Sequence, residues 1–91
     1  MATGFYFGNG TFPVEKYDEA IAALDAAGHG APAGRLHHVA VSSNGNVQIF
    51  DIWDSPEAFE AFGAVLMPIL GRLGVDPGQS AVAPVHNVIK G

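Results

Sequence analysis

The chain has 91 residues, enough for one thin-cored domain over residues 1–91 and too few for two, and it contains no cysteine, which removes disulfides, thiolate catalysis and zinc–cysteine sites. Four cations against nine acids give a net charge of −5 with no basic cluster to track a phosphate backbone, so nucleic acid is not an expected partner. Hydrophobic residues make up 48% and charged ones 14%, with a mean hydropathy of +0.23, more apolar material than one small core hides; the longest apolar run, Ala64 to Leu70, falls far short of the roughly 20 residues that span a bilayer, so a second subunit is expected to cover the surplus, not a membrane.

Gly4 to Gly8 carries Phe5, Tyr6 and Phe7 and reads as a short aromatic strand closed by Asn9-Gly10. A helix follows, capped by Thr11 or Phe12 with Pro13 in its first turn; Val14, Tyr17, Ile21 and Leu24 form its apolar stripe and Gly28 stops it. After a Gly/Pro/Ala loop, Arg35 to Ser43 and Asn46 to Trp53 read as two strands around Asn44-Gly45, a strong hairpin signal. Ser55-Pro56-Glu57 opens a second helix with a capping hydroxyl, a proline at the first position and an acid in the first turn. Its stripe is Phe59, Phe62, Leu66, Ile69, Leu70 and Leu73; Gly74 ends it, and Pro68 is expected to kink or divide it. A last strand, Ser80 to Ile89, follows the Asp76-Pro77-Gly78 turn. Strand, helix, hairpin, helix, strand is a ferredoxin-like α+β pattern, a four-stranded antiparallel sheet with both helices on one face and the other face bare.

A hairpin symmetric about Asn44-Gly45 opposes residues whose numbers sum to 89, pairing Leu36 with Trp53, His38 with Asp51 and Ala40 with Ile49 on one face. Val39, Val41, Phe50 and Ile52 share the other, a purely apolar set expected to pack beneath the helices against Tyr17, Ile21, Leu24, Phe59, Phe62 and Leu66. His38 and Asp51 are then expected on the open face, close enough across the ladder for the carboxylate to orient the imidazole as a general base. The competing reading is a structural cross-strand bridge inside a dimer. Trp53 can stack on a substrate or serve only as packing. His86 joins the site if the last strand's register turns it to that face, whereas His37 and His29 read as structural or exposed. In this fold the last strand and the first hairpin strand occupy opposite sheet edges, so His38, Asp51 and His86 are not expected to share a metal ion. No phosphate loop, dinucleotide fingerprint or Gly-x-Ser-x-Gly motif occurs, and no cofactor is expected.

The stretch Asp51-Ile-Trp-Asp-Ser-Pro-Glu-Ala-Phe-Glu-Ala-Phe, with Leu66-Met-Pro68 and Pro84-Val-His-Asn-Val, resembles the dimeric α+β barrel superfamily, particularly its small antibiotic biosynthesis monooxygenase-like members. Its sharpest signature is Trp53-x-Ser55-x-Glu57-Ala58-Phe59-x-x-Phe62, at the junction of strand and helix. The likeness covers the second half in motif and the first half only in element order. It implies a homodimer whose two sheets pack their bare faces into a barrel, with a ligand pocket inside the barrel or between each sheet and its helices. It also implies a choice among chemistries that the fold does not make: cofactor-independent oxygenation of phenols, haem degradation, isomerisation, cyclisation, or none. The absence of histidine from Pro56 to Leu73 speaks against a haem-degrading role.

Two functions follow. In one, a cytoplasmic cofactor-independent monooxygenase or isomerase acts on a small aromatic or polyketide-like substrate, with His38 and Asp51 as catalytic pair and Trp53 and His86 as substrate contacts. In the other, the chain is a non-catalytic dimeric ligand-binding or structural protein. A cavity of about 300 Å³ or more touching His38 favours enzyme or carrier, and a filled interior favours structure.

Overall fold

A computed structural model of the chain describes residues 2–91. In chain order it contains β1 (Thr3–Phe7), α1 (Val14–Ala26), β2 (Arg35–Ser43), β3 (Asn46–Trp53), α2 (Pro56–Leu73) and β4 (Ala81–Pro84). The strands form one antiparallel sheet in the order β2-β3-β1-β4, and both helices pack on one face of it, the ferredoxin-like arrangement that the sequence predicts.

The second helix starts as expected. Ser55 is extended and its Oγ accepts the Ala58 N–H at 3.2 Å, a cap worth about 1 kcal/mol. Pro56 occupies the first turn, where its missing N–H costs nothing, and Gly74 terminates the helix at φ 71°. Pro68 lies inside α2 without dividing it. The first helix starts differently. Neither Thr11 nor Phe12 caps it; Pro13 does, with no side-chain hydrogen bond. The hairpin fixes this end: Phe12 N–H donates to Asn46 Oδ1 at 3.1 Å, Val14 N–H to the Gly45 carbonyl at 3.0 Å, and Val47 N–H to the Phe12 carbonyl at 2.8 Å. These bonds hold the first turn of α1, and with it Tyr17, against β2 and β3.

Asn44 and Gly45 both have positive φ, 54° and 82°, as a two-residue hairpin turn requires. The expected register holds from Ser43↔Asn46 through Ala40↔Ile49 and Val39↔Phe50 to His38↔Asp51. It breaks beyond His37, where a bulge pairs Arg35 with Trp53 and leaves Leu36 out of the ladder, so the expected Leu36–Trp53 pair is absent.

The two faces of the hairpin are inverted relative to expectation. Val39, Val41 and Phe50 are 52%, 52% and 46% exposed on the uncovered face, whereas Asp51 is 5% and Trp53 0% exposed beneath the helices. Ile52 belongs to the uncovered side and is buried beside the segment after β4. The reason lies in β1. Its register places Phe5 opposite Asp51 and Phe7 opposite Ile49, so two phenylalanines share the Trp53 side of the sheet. Phe5 stacks on Phe59 of α2 at 4.1 Å between centroids, and Trp53 meets Phe59 and Phe62 at 5.7 and 5.4 Å. Three aromatic side chains bury more area than a set of valines, and the helices cover the face that carries them. The polar pair goes under with them because its hydrogen bonds are met internally.

The last strand is also shorter than expected, ending at Pro84, which has no N–H to extend the ladder. Val85 N–H makes one further bond, to the Ala2 carbonyl at 2.9 Å.

Candidate active site

His38 and Asp51 occupy opposed positions on β2 and β3, and their side chains meet as the hairpin arithmetic predicts, with His38 Nδ1 2.6 Å from Asp51 Oδ1. The second carboxylate oxygen accepts the Trp53 indole N–H at 3.2 Å. On the other side of the ring, Tyr17 Oη lies 2.7 Å from His38 Nε2, with the phenol and imidazole planes only 2° apart. The four side chains form a continuous line from Tyr17 through His38 and Asp51 to Trp53.

Charge and valence settle the direction of these bonds. An ionised carboxylate only accepts, so with Asp51 ionised Nδ1 carries a proton. In the neutral ring Nε2 is then the acceptor, and the Tyr17 hydroxyl donates to it. Tyr17 has its pKa raised above 10.0, first by burial, with Asp51 and Asp18 adding to the rise and Arg35 opposing it, so the phenol is protonated at neutral pH. No buried side-chain nitrogen or oxygen among the described residues lacks a partner.

Tyr17, His38 and Asp51 all line a cavity of about 140 Å³ between sheet and helices, whose remaining wall includes Phe7, Phe12, Ile49, Phe59 and Leu66. Arg35 also reaches it, holding the Gly30 carbonyl at 3.1 Å and lying 5.9 Å over the Phe62 ring. The volume is below the 300 Å³ that separates the two functional readings most simply, so the site is narrow and neither wide nor filled.

The site therefore lies under the helices and not on the open face. Trp53, expected as a substrate contact, is fully buried and off the cavity wall; its indole holds Asp51 instead. His86 lies in the segment after β4 and lines a depression on the uncovered face with Tyr6, Phe50 and Ile52, apart from His38. Among the described residues no three His, Asp or Glu side chains gather as a metal site would require. Among them, too, no helix is long and apolar enough to cross a membrane. The sequence pattern places Tyr17 in the apolar stripe of α1 and assigns Arg35 no part in the site. The available signal was that Tyr17 carries the only hydroxyl in a stripe otherwise made of Val14, Ile21 and Leu24.

No protein-family model matches the sequence, and no curated protein matches it significantly. Solved structures do match. A candidate antibiotic biosynthesis monooxygenase from Chloroflexus aurantiacus J-10-fl superposes with a TM-score of 0.65 at 18% identity, covering 99% of this chain and 98% of that one. A second candidate of the same description, from Deinococcus radiodurans, gives 0.62 at 14% identity over 99% and 97%. SnoaB, a cofactor-independent oxygenase from Streptomyces nogalater, gives 0.60 at 13% over 97% and 93%. The chain has the fold of antibiotic biosynthesis monooxygenase-like proteins. The likeness runs through both halves, where the sequence motif reached only the second. Shared fold at this identity leaves the chemistry to be argued from Tyr17, His38 and Asp51.

Proposed function

We propose that the protein is a cofactor-independent monooxygenase or isomerase for a small aromatic or polyketide-like substrate, acting through the His38–Asp51 pair in the cavity beneath the helices. The observation that carries this reading is the 2.6 Å contact between His38 Nδ1 and a nearly buried carboxylate, with Nε2 turned to a hydroxyl in an apolar cavity. Asp51 holds the tautomer in which Nε2 accepts a proton and stabilises the imidazolium that results. Loss of a proton makes a phenol or an activated carbon electron-rich. In the oxygenase, dioxygen then converts a ring C–H para to the hydroxyl into a quinone carbonyl, its second atom leaving as water. In the isomerase, the proton returns at another carbon. The fold of SnoaB, a cofactor-independent oxygenase, is consistent with the first.

The working unit is a homodimer. Its support is the uncovered sheet face, where Tyr6, Val39, Val41 and Phe50 form an exposed apolar surface that a lone subunit would leave in water. A non-catalytic, ligand-binding or structural role has one observation in its favour: the polar network is already complete within the chain. Oxygen uptake and product analysis with a panel of hydroxylated aromatics, on wild type and His38→Ala, separates the two. The enzyme reading expects turnover that falls by about 10²–10⁴-fold in the variant. Turnover absent across the panel, or unaffected by His38→Ala, overturns it.

A further inference from the structure

We propose that the cavity takes single-ring phenols or enols, and that Tyr17 is the residue that touches the ionising hydroxyl, passing its proton to His38. This rests on the acid/base reading of His38 and Asp51 and names the substrate size and the contact atom. The size comes from the cavity: about 140 Å³ is close to the 150 Å³ that accommodates benzene in an engineered apolar cavity, and too small to enclose fused rings.

The contact atom follows from the hydrogen bonds. His38 Nδ1 is taken by Asp51 and Nε2 by the Tyr17 hydroxyl, so neither ring nitrogen is free to meet a substrate directly. Tyr17 Oη, which gives its proton to Nε2, keeps a lone pair to accept one. In the transfer, the substrate O–H bond breaks as a new Tyr17 O–H bond forms, and the original Tyr17 O–H bond breaks as Nε2–H forms. The products are a substrate anion held by a neutral tyrosine and an imidazolium held by Asp51. Arg35 lies on the same wall, where its field favours negative charge near Tyr17 Oη, while Asp51 and Asp18 oppose it. Burial keeps Tyr17 protonated between turnovers, as a carrier must be.

The test uses 4-nitrophenol, whose anion has its own visible absorption band, with the unmodified protein and three variants. Wild type is expected to bind it saturably in the ionised form. Tyr17→Phe, which keeps the ring and loses the oxygen, is expected to lose the nitrophenolate band and about tenfold in affinity. Gly63 lines the cavity, and a Cβ built there meets no atom within 4 Å. Gly63→Leu should therefore fill the space in a variant that folds, since leucine is the better helix former, and should weaken binding by a similar factor. Retention of both band and affinity in Tyr17→Phe, unchanged affinity in Gly63→Leu, or equal competition by 1-naphthol overturns the proposal. His38→Ala separates this failure from that of the underlying reading. If it abolishes ionised binding and Tyr17→Phe does not, His38 meets the substrate itself and only the present inference falls. If neither changes the bound spectrum, the acid/base pair falls with it.

Discussion

Substituting Asp51 in two ways distinguishes a carboxylate that orients His38 from one that merely fills space. Asp51→Ala removes the acceptor of two donors at once, His38 Nδ1–H and Trp53 Nε1–H. The His38 side chain is 20% exposed and its ring can turn toward water, but Trp53 is 0% exposed and its indole N–H has no route to solvent. An unpaired buried donor costs about 1–3 kcal/mol, so with a smaller contribution from His38 the variant should lose roughly 2–4 kcal/mol. Asp51→Asn behaves differently. Its carbonyl can keep the Trp53 bond while its amide N–H donates to Nδ1, driving His38 into the Nε2–H tautomer, whose proton Tyr17 Oη can accept. The three hydrogen bonds of the line are then kept and only the Tyr17 hydroxyl hydrogen loses its acceptor, so the loss should be about 1 kcal/mol, smaller than in Asp51→Ala, but Nε2 no longer accepts a proton. Denaturant titration at one fixed protein concentration reads the stabilities, and nitrogen-15 correlation spectra of the His38 ring read the tautomer. Equal losses in the two variants, or a wild-type ring protonated on Nε2 alone, would refute the reasoning.

Two further outcomes follow from the same geometry. The raised Tyr17 pKa means that the folded state retains this proton to higher pH than the unfolded chain, so the stabilisation is complete below pH about 10 and is lost as pH climbs through the folded value; wild type should lose more stability than Tyr17→Phe across that alkaline window, and parallel curves would contradict it. Phe50→Lys places a charge in the middle of the uncovered apolar face, 46% exposed in the single chain, and should shift sedimentation from a dimer to a species near 9.4 kDa; a wild type that already sediments as monomer would remove the homodimer.

The order of elements, the hairpin register and the meeting of His38 with Asp51 were legible because they depend on local chemistry. Asn44-Gly45 adopts the positive φ angles of its turn, and the register then counts outward from it. Parity along each strand grouped His38 with Ile49, Asp51 and Trp53, and Val39 with Phe50, correctly. Which group goes under the helices is a different question, because alternation defines two faces without labelling them. The polar pair suggested the open face, and that weighed a buried carboxylate as a cost when its two oxygens both find donors. The deciding residues, Phe5 and Phe7, sit on a strand whose register against β3 is set by long-range pairing, which no local pattern encodes. Tyr17 was hidden for the same reason. Its phenol reaches His38 only because the hairpin turn clamps the start of α1.

The inversion of faces also separates two roles that the sequence had merged. With the polar pair on the open face, dimerisation and catalysis would have competed for Leu36, Ile49 and Trp53. In the folded chain Tyr17, His38, Asp51 and Trp53 meet within one subunit, and the proposed interface uses alternate residues of the same strand: Phe50 faces outward, Asp51 inward. A partner docked on Phe50 can act on Asp51 only through the backbone of β3, by fixing the strand that carries the carboxylate. The site's hydrogen-bond geometry should therefore survive in a monomeric Phe50→Lys variant, with the His38 tautomer unchanged, while its stability falls by whatever the interface supplies. A His38 ring that changes tautomer on monomerisation would instead show that the second subunit helps to build the site.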